Sequence, residues 1–119
     1  MSDTVTQPDT VDLSNMREIT GGDKELETEL FQVFIKCGEE SLAELTNMCA
    51  DGVQPDWKEQ SHSIKGEAAN LGATKLALLC QQSQTSFALS AAEKRAILDQ
   101  IKAEWVVVKT YLLELMKES

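Results

Sequence analysis

Apolar positions recur at helical spacing along most of this chain. Asp12 to Thr20 carries Leu13, Met16 and Ile19, a short helical candidate that Gly21-Gly22 breaks. Asp23 then offers an N-cap oxygen. Behind it Leu26, Leu30, Val33, Cys37, Leu45 and Met48 form a stripe, widened by Phe31, Phe34 and Leu42. The stripe predicts a helix running to Asp51-Gly52; at about 27 residues it is about 40 Å long. Pro55-Asp56 opens a third helix, with Asp56 and Glu59 spaced as a capping box. Trp57, Ile64, Ala68 and Leu71 are its core side, and Gly72 suits the position after its end. Thr74 can cap a fourth helix with Leu76, Leu79, Cys80, Ser83 and Phe87 on one face. Ser90 and Glu93 form a capping box for the last helix. Its stripe is Ile97, Ile101, Trp105, Val108, Leu112 and Leu115.

No segment alternates as a strand does. Val106-Val107-Val108 is β-branched but sits inside the last stripe, where packing overrides weak propensity. Short loops between long helices favour antiparallel neighbours. The expectation is an all-α fold: an up-down-up-down antiparallel four-helix bundle with a short extra N-terminal helix. Residues 1–11 are polar, contain Pro8 and read as a flexible tail; residues 12–119 read as the helical domain. A chain of 119 residues suits one core.

Composition narrows the chemistry. Eleven Lys and Arg against twenty Asp and Glu give a net charge of −9. Such a surface disfavours nucleic acid and anionic membranes. No stretch approaches the roughly 20 apolar residues that span a bilayer, and MSDTVTQPDT lacks the features of a signal peptide. Cys37, Cys49 and Cys80, odd in number and widely spaced, point to a reducing cytoplasm and not to a disulfide framework. One histidine and no CxxC or HxxxH spacing disfavour a structural metal. No phosphate-binding glycine loop or nucleophile elbow is present.

The third helix contains the unusual segment. At 100° per residue, His62 falls opposite the core side, with Lys58, Glu59, Lys65, Gly66 and Ala69 around it. A glycine inside a helix costs about 1 kcal/mol relative to alanine. Gly66 lies one turn beyond His62, where a missing side chain clears room for another protein's backbone. Lys65, at i+3 from His62, can attract an anionic group on the imidazole. A neutral imidazole nitrogen is a competent nucleophile near pH 7. Exposed imidazole, clearing and cation together suit a phosphoryl acceptor.

The run His62-Ser63-Ile64-Lys65-Gly66-Glu67-Ala68-Ala69-Asn70-Leu71-Gly72 resembles the signature of histidine-containing phosphotransfer (HPt) domains of two-component phosphorelays. The opening from Asp12-Leu13-Ser14 to Thr20-Gly21-Gly22-Asp23 also resembles that family, and the likeness covers roughly residues 12 to 117. It implies a helical bundle that accepts a phosphoryl group on His62 from a receiver-domain aspartate and passes it to another receiver. Lys65 matches the lysine that helps hold the phosphoryl group, Gly66 the glycine that admits the receiver, and Gly72 the structural glycine. Gln84, 22 residues after His62, matches a glutamine that orients the imidazole in several members. Glu67 departs from the family's usual small residue; it flanks the His62 face, where a carboxylate would alter partner choice or mildly repel a phosphoryl group. The expected docking face comprises Lys58, Glu59, Gly66 and Ala69, with Ile19 from the first helix, although Lys58 taken alone reads as a solvated residue. The implied partners are receiver domains of response regulators or hybrid sensor histidine kinases. Magnesium is expected on the receiver only, with no cofactor and no ATP-dependent kinase activity in this chain, which is expected to be a monomer. The alternative is a helical adaptor that docks and sequesters receivers without carrying phosphate.

Overall fold

Five helices account for nearly all of the computed structural model, which describes residues 11–117. They are α1 (Ser14–Thr20), α2 (Lys24–Asn47), α3 (Pro55–Leu71), α4 (Thr74–Thr85) and α5 (Ala91–Lys117). No strand forms among the described residues; one isolated antiparallel bridge joins Val11 to Ala73. The packed body measures 50 × 25 × 19 Å. Helix α3 packs most extensively on α4, α4 on α5, and α2 on α3 and α5, while α1 touches α2 and α3.

Local chemistry sets most boundaries. The Asp23 carboxylate accepts from the backbone N–H of Glu25 (3.0 Å) and Leu26 (3.1 Å), as an N-cap must. Ser90 and Glu93 make the expected box: the Glu93 N–H donates to Ser90 Oγ at 3.1 Å, and the Ser90 hydroxyl to Glu93 Oε1 at 3.0 Å. Gly72 ends α3 with φ +100°, and its carbonyl receives the Asp12 N–H at 2.8 Å. The Asp12 carbonyl lies where a side chain at position 72 would stand, so this glycine is required twice over.

Several expectations need correction. Val11, expected in the loose tail, is 1% exposed and belongs to the packed chain; the rest of that tail lies outside the described residues. Asp56 does not cap α3: Gln54 holds the cap position and Pro55 the first turn, where its missing N–H costs nothing. Ala73, not Thr74, holds the cap position of α4. Phe87 lies beyond the end of α4. Helix α2 ends at Asn47, short of Asp51-Gly52. The cause is remote. Lys94, fully buried, donates to the carbonyls of Ala50 (2.6 Å) and Gly52 (2.7 Å), and the Asp51 carboxylate accepts the Ala91 N–H at 2.6 Å. The Gly52 N–H is also taken, by the Leu89 carbonyl at 3.1 Å, so the segment after Asn47 is tied to residues 89–94 and its donors do not extend the α2 ladder.

The α2 stripe also divides. Phe31, Leu42 and Leu45 enter the core, but Leu26, Leu30 and Val33 are exposed, Val33 by 58%. By contrast Trp57, Ile64, Ala68 and Leu71 are all buried, as are Ile101, Trp105, Val108 and Leu112. In α5, Leu98 and Tyr111 complete the buried face, and Ile97 and Leu115 lie at its edge.

Candidate functional site

Two serines on the inner faces of α3 and α4 fix the site. Ser61 and Ser83 are fully buried and share a hydroxyl–hydroxyl hydrogen bond of 2.6 Å. The Trp57 indole N–H donates to the Ser83 carbonyl at 2.8 Å. These bonds satisfy polar groups that would otherwise be stranded between helices. They also set the relative position of α3 and α4. The next residue on each helix is His62 and Gln84, with the same 22-residue separation as the serine pair.

His62 is exposed and lines an open recess with Pro55, Lys58, Glu59, Gln84 and Phe87. No hydrogen bond or ion pair within the described residues restrains its ring. Gln84 is half-buried, and its side-chain carbonyl oxygen is shielded from solvent without a donor. A buried acceptor left empty costs about 1–3 kcal/mol. An imidazole N–H beside it can supply the missing donor and so select the tautomer.

The cations differ in their commitments. Lys58 Nζ lies 4.9 Å from the Phe87 ring centroid, a cation–π distance. Lys65 is half-buried and enters no ion pair within the described residues, which leaves its charge available to an incoming anion. Glu59 and Ala69 are exposed. At Gly66 an added Cβ would meet nothing within 4 Å. The fold therefore gives no internal reason for a glycine there.

Ile19 does not line the His62 recess. It is 74% exposed at the rim of a second groove between α1, α2 and α3. Leu30, Val33, Phe34 and Cys37 of α2 form one wall, and Glu67, Asn70 and Leu71 of α3 another. This groove takes up the part of the α2 stripe that the core does not. On α3, Asn70 is about 80° around the helix from His62 and Gly66 about 40°, so recess and groove are neighbouring parts of one surface. The groove was missed as a site because an apolar stripe reads as core whether or not anything covers it. The serine clamp was missed because serine is counted with polar surface.

Within the described residues, no helix is long and apolar enough to cross a membrane. A family model described as the Hpt domain matches residues 29–117. The fold is similar to that of histidine-containing phosphotransfer protein B from Pseudomonas aeruginosa, with a TM-score of 0.76 and 20% identity, over 95% of this chain and 99% of that one. No curated protein sequence matches.

Proposed function

Because the chain belongs to the Hpt domain family, whose model spans residues 29–117, we propose that its histidine phosphotransfer role in two-component signalling is carried by His62. The observation that supports this assignment most is the surface of α3. An exposed, unrestrained imidazole stands beside an empty position at Gly66 and an unpaired lysine at Lys65.

The chemistry is a reversible exchange of one bond. A ring nitrogen of His62 attacks the phosphorus of a receiver's aspartyl phosphate. The N–P bond forms as the P–O bond to the aspartate breaks, and the carboxylate leaves with the bonding electrons. Transfer onward is the reverse reaction with a second receiver. Phosphoryl transfer depends on positioning and charge neutralisation. Lys65 offsets charge on the transferred group, and the empty Gln84 oxygen is available to accept the N–H of the other ring nitrogen when the ring turns toward it. Gly66 and Ala69 keep the approach low, with Lys58 and Glu59 at its edge. The magnesium that the reaction needs belongs to the receiver, and this chain supplies no cofactor and no ATP-dependent kinase activity.

We read α2 to α5 as an up-down-up-down antiparallel bundle to which α1 adds a short helix. Cross-links support that order: Ser61 to Ser83, Lys75 to Glu104 and Lys109 to Glu39. The reading places a monomer in the cytoplasm, docking receiver domains of response regulators or hybrid kinases.

The test is transfer from a panel of phosphorylated receiver domains to the wild-type chain and to His62→Gln. Acid-labile, base-stable label on wild type alone is expected. Label on His62→Gln overturns the assignment, and docking without label identifies the chain as a sequestering adaptor.

A further inference from the structure

The groove between α1, α2 and α3 contains one charged group among its lining residues. Met16, Ile19, Leu30, Val33, Phe34 and Leu71 supply apolar surface, and Glu67 projects a carboxylate into it. Glu67 Oε1 is shielded from solvent and accepts no hydrogen bond. The guanidinium of α1 is already committed, since Arg17 holds Glu27 Oε1 at 3.0–3.1 Å. No other cation of the described chain pairs with Glu67. An acceptor left empty in an apolar cleft is more favourably placed with a donor than without one. Covering the groove with apolar surface alone would strand the carboxylate further.

We propose that Glu67 is a specificity-determining residue, which selects receiver domains that insert a lysine or arginine side chain, flanked by apolar ones, into the groove beside His62. The inference rests on the carrier reading above and adds the charge class of the partner. A charge-assisted hydrogen bond formed in the closed groove is stronger than one in water. The same carboxylate discriminates against receivers with an apolar or acidic residue at that point, because their docking buries it unpaired or against like charge. Glu67 is about 140° around α3 from His62 and about 7.5 Å along the axis. It can therefore act on docking without touching the phosphoryl group. Burial already pushes its carboxyl above the ordinary carboxylate range, in keeping with a missing partner.

The receiver that labels the wild-type chain fastest is the probe. Its affinity is measured by calorimetry for wild type, Glu67→Gln and Glu67→Lys, together with receiver variants in which each basic residue of the contact face is replaced by Met. Glu67→Gln is expected to weaken docking about tenfold and Glu67→Lys by more than a hundredfold, a tenfold step corresponding to about 1.4 kcal/mol. One receiver Lys→Met or Arg→Met change should produce the same loss and add nothing to Glu67→Gln. Labelling of His62 by a small phosphoryl donor, and helicity, should be unchanged in both variants. If wild type takes label from no receiver, the carrier reading fails and this inference fails with it. If wild type is labelled but Glu67→Gln docks equally well or better, this inference alone is overturned.

Discussion

Alanine at position 66 is expected to stabilise the protein and impair its activity. Gly66 lies in the interior of α3, and a Cβ built there meets no atom within 4 Å. The added methyl therefore brings neither clash nor packing. What remains is helix propensity, about 0.8–1 kcal/mol in favour of alanine, drawn largely from the freedom that glycine has in the unfolded chain. For a domain of this size the melting temperature should rise by about 3–5 °C. Transfer should move the other way. In-line attack needs the reacting atoms about 3–3.5 Å apart, and a misplacement of about 1 Å can cost about a hundredfold in rate. A methyl on the approach surface one turn from His62 imposes a displacement of that order on a docked receiver. Thermal melts by circular dichroism and single-turnover transfer from a phosphorylated receiver measure both effects. Two other glycines give the contrast. A Cβ at Gly38 would enter the Trp105 ring, and one at Gly72 would meet the Asp12 carbonyl at positive φ, so alanine at either should destabilise. A Gly66→Ala protein that melts lower than wild type, or that transfers at the wild-type rate, refutes the reasoning.

Two further outcomes concern the fold. Lys94→Met should lower stability by about 3 kcal/mol, because two buried carbonyls lose a charged donor. Urea melts check this, and a loss below about 0.5 kcal/mol would mean that the cost of burying the ammonium already cancels its bonds. Burial, and secondarily the Glu67 carboxylate, pushes the Cys80 thiol from an ordinary 9.0 up to about 12. The folded state thus favours the protonated thiol; this contribution to stability is complete below pH 9.0 and is lost as pH rises toward about 12. At pH 8 a thiol reagent should modify the partly exposed Cys37 and Cys49 and reach Cys80 only after denaturation, whereas modification of all three at equal rates would contradict that burial.

Features decided within one helical turn were legible in the residues. Asp23, Ser90 with Glu93, and Gly72 as the end of α3 act on groups two to four positions away, so their spacing is their mechanism; the second demand on Gly72, the Asp12 carbonyl, is not local. The same holds for His62, Lys65 and Gly66, which a helical wheel brings to one face without knowledge of the rest of the fold. What escaped depends on partners far along the chain. The segment that follows α2 is held by Lys94, which is 44 residues from Ala50 and 42 from Gly52. Leu30 and Val33 satisfy the periodicity of a buried stripe, yet the elements that could cover them leave a groove open. Family likeness alone points to Gln84, and its geometric reason is the Ser61–Ser83 bond one residue earlier on each helix.

Helix α3 separates its core contacts from the proposed site by face. Trp57, Ser61, Ile64, Ala68 and Leu71 are buried and tie the helix to its neighbours, whereas His62 and Gly66 make no contact that the fold needs. Under the proposed carrier role this division matters, because His62 would gain and lose a phosphoryl group. The group adds about −1.5 to −2 charges to a chain whose net charge is already −9. Were His62 bonded into the core, each cycle would break those bonds and strain the bundle. As it stands, the new charge meets solvent, an unpaired Lys65 and the nearby Lys58. Phosphorylation should therefore alter which receiver docks while leaving the helices in place, which is the behaviour a carrier between two partners requires.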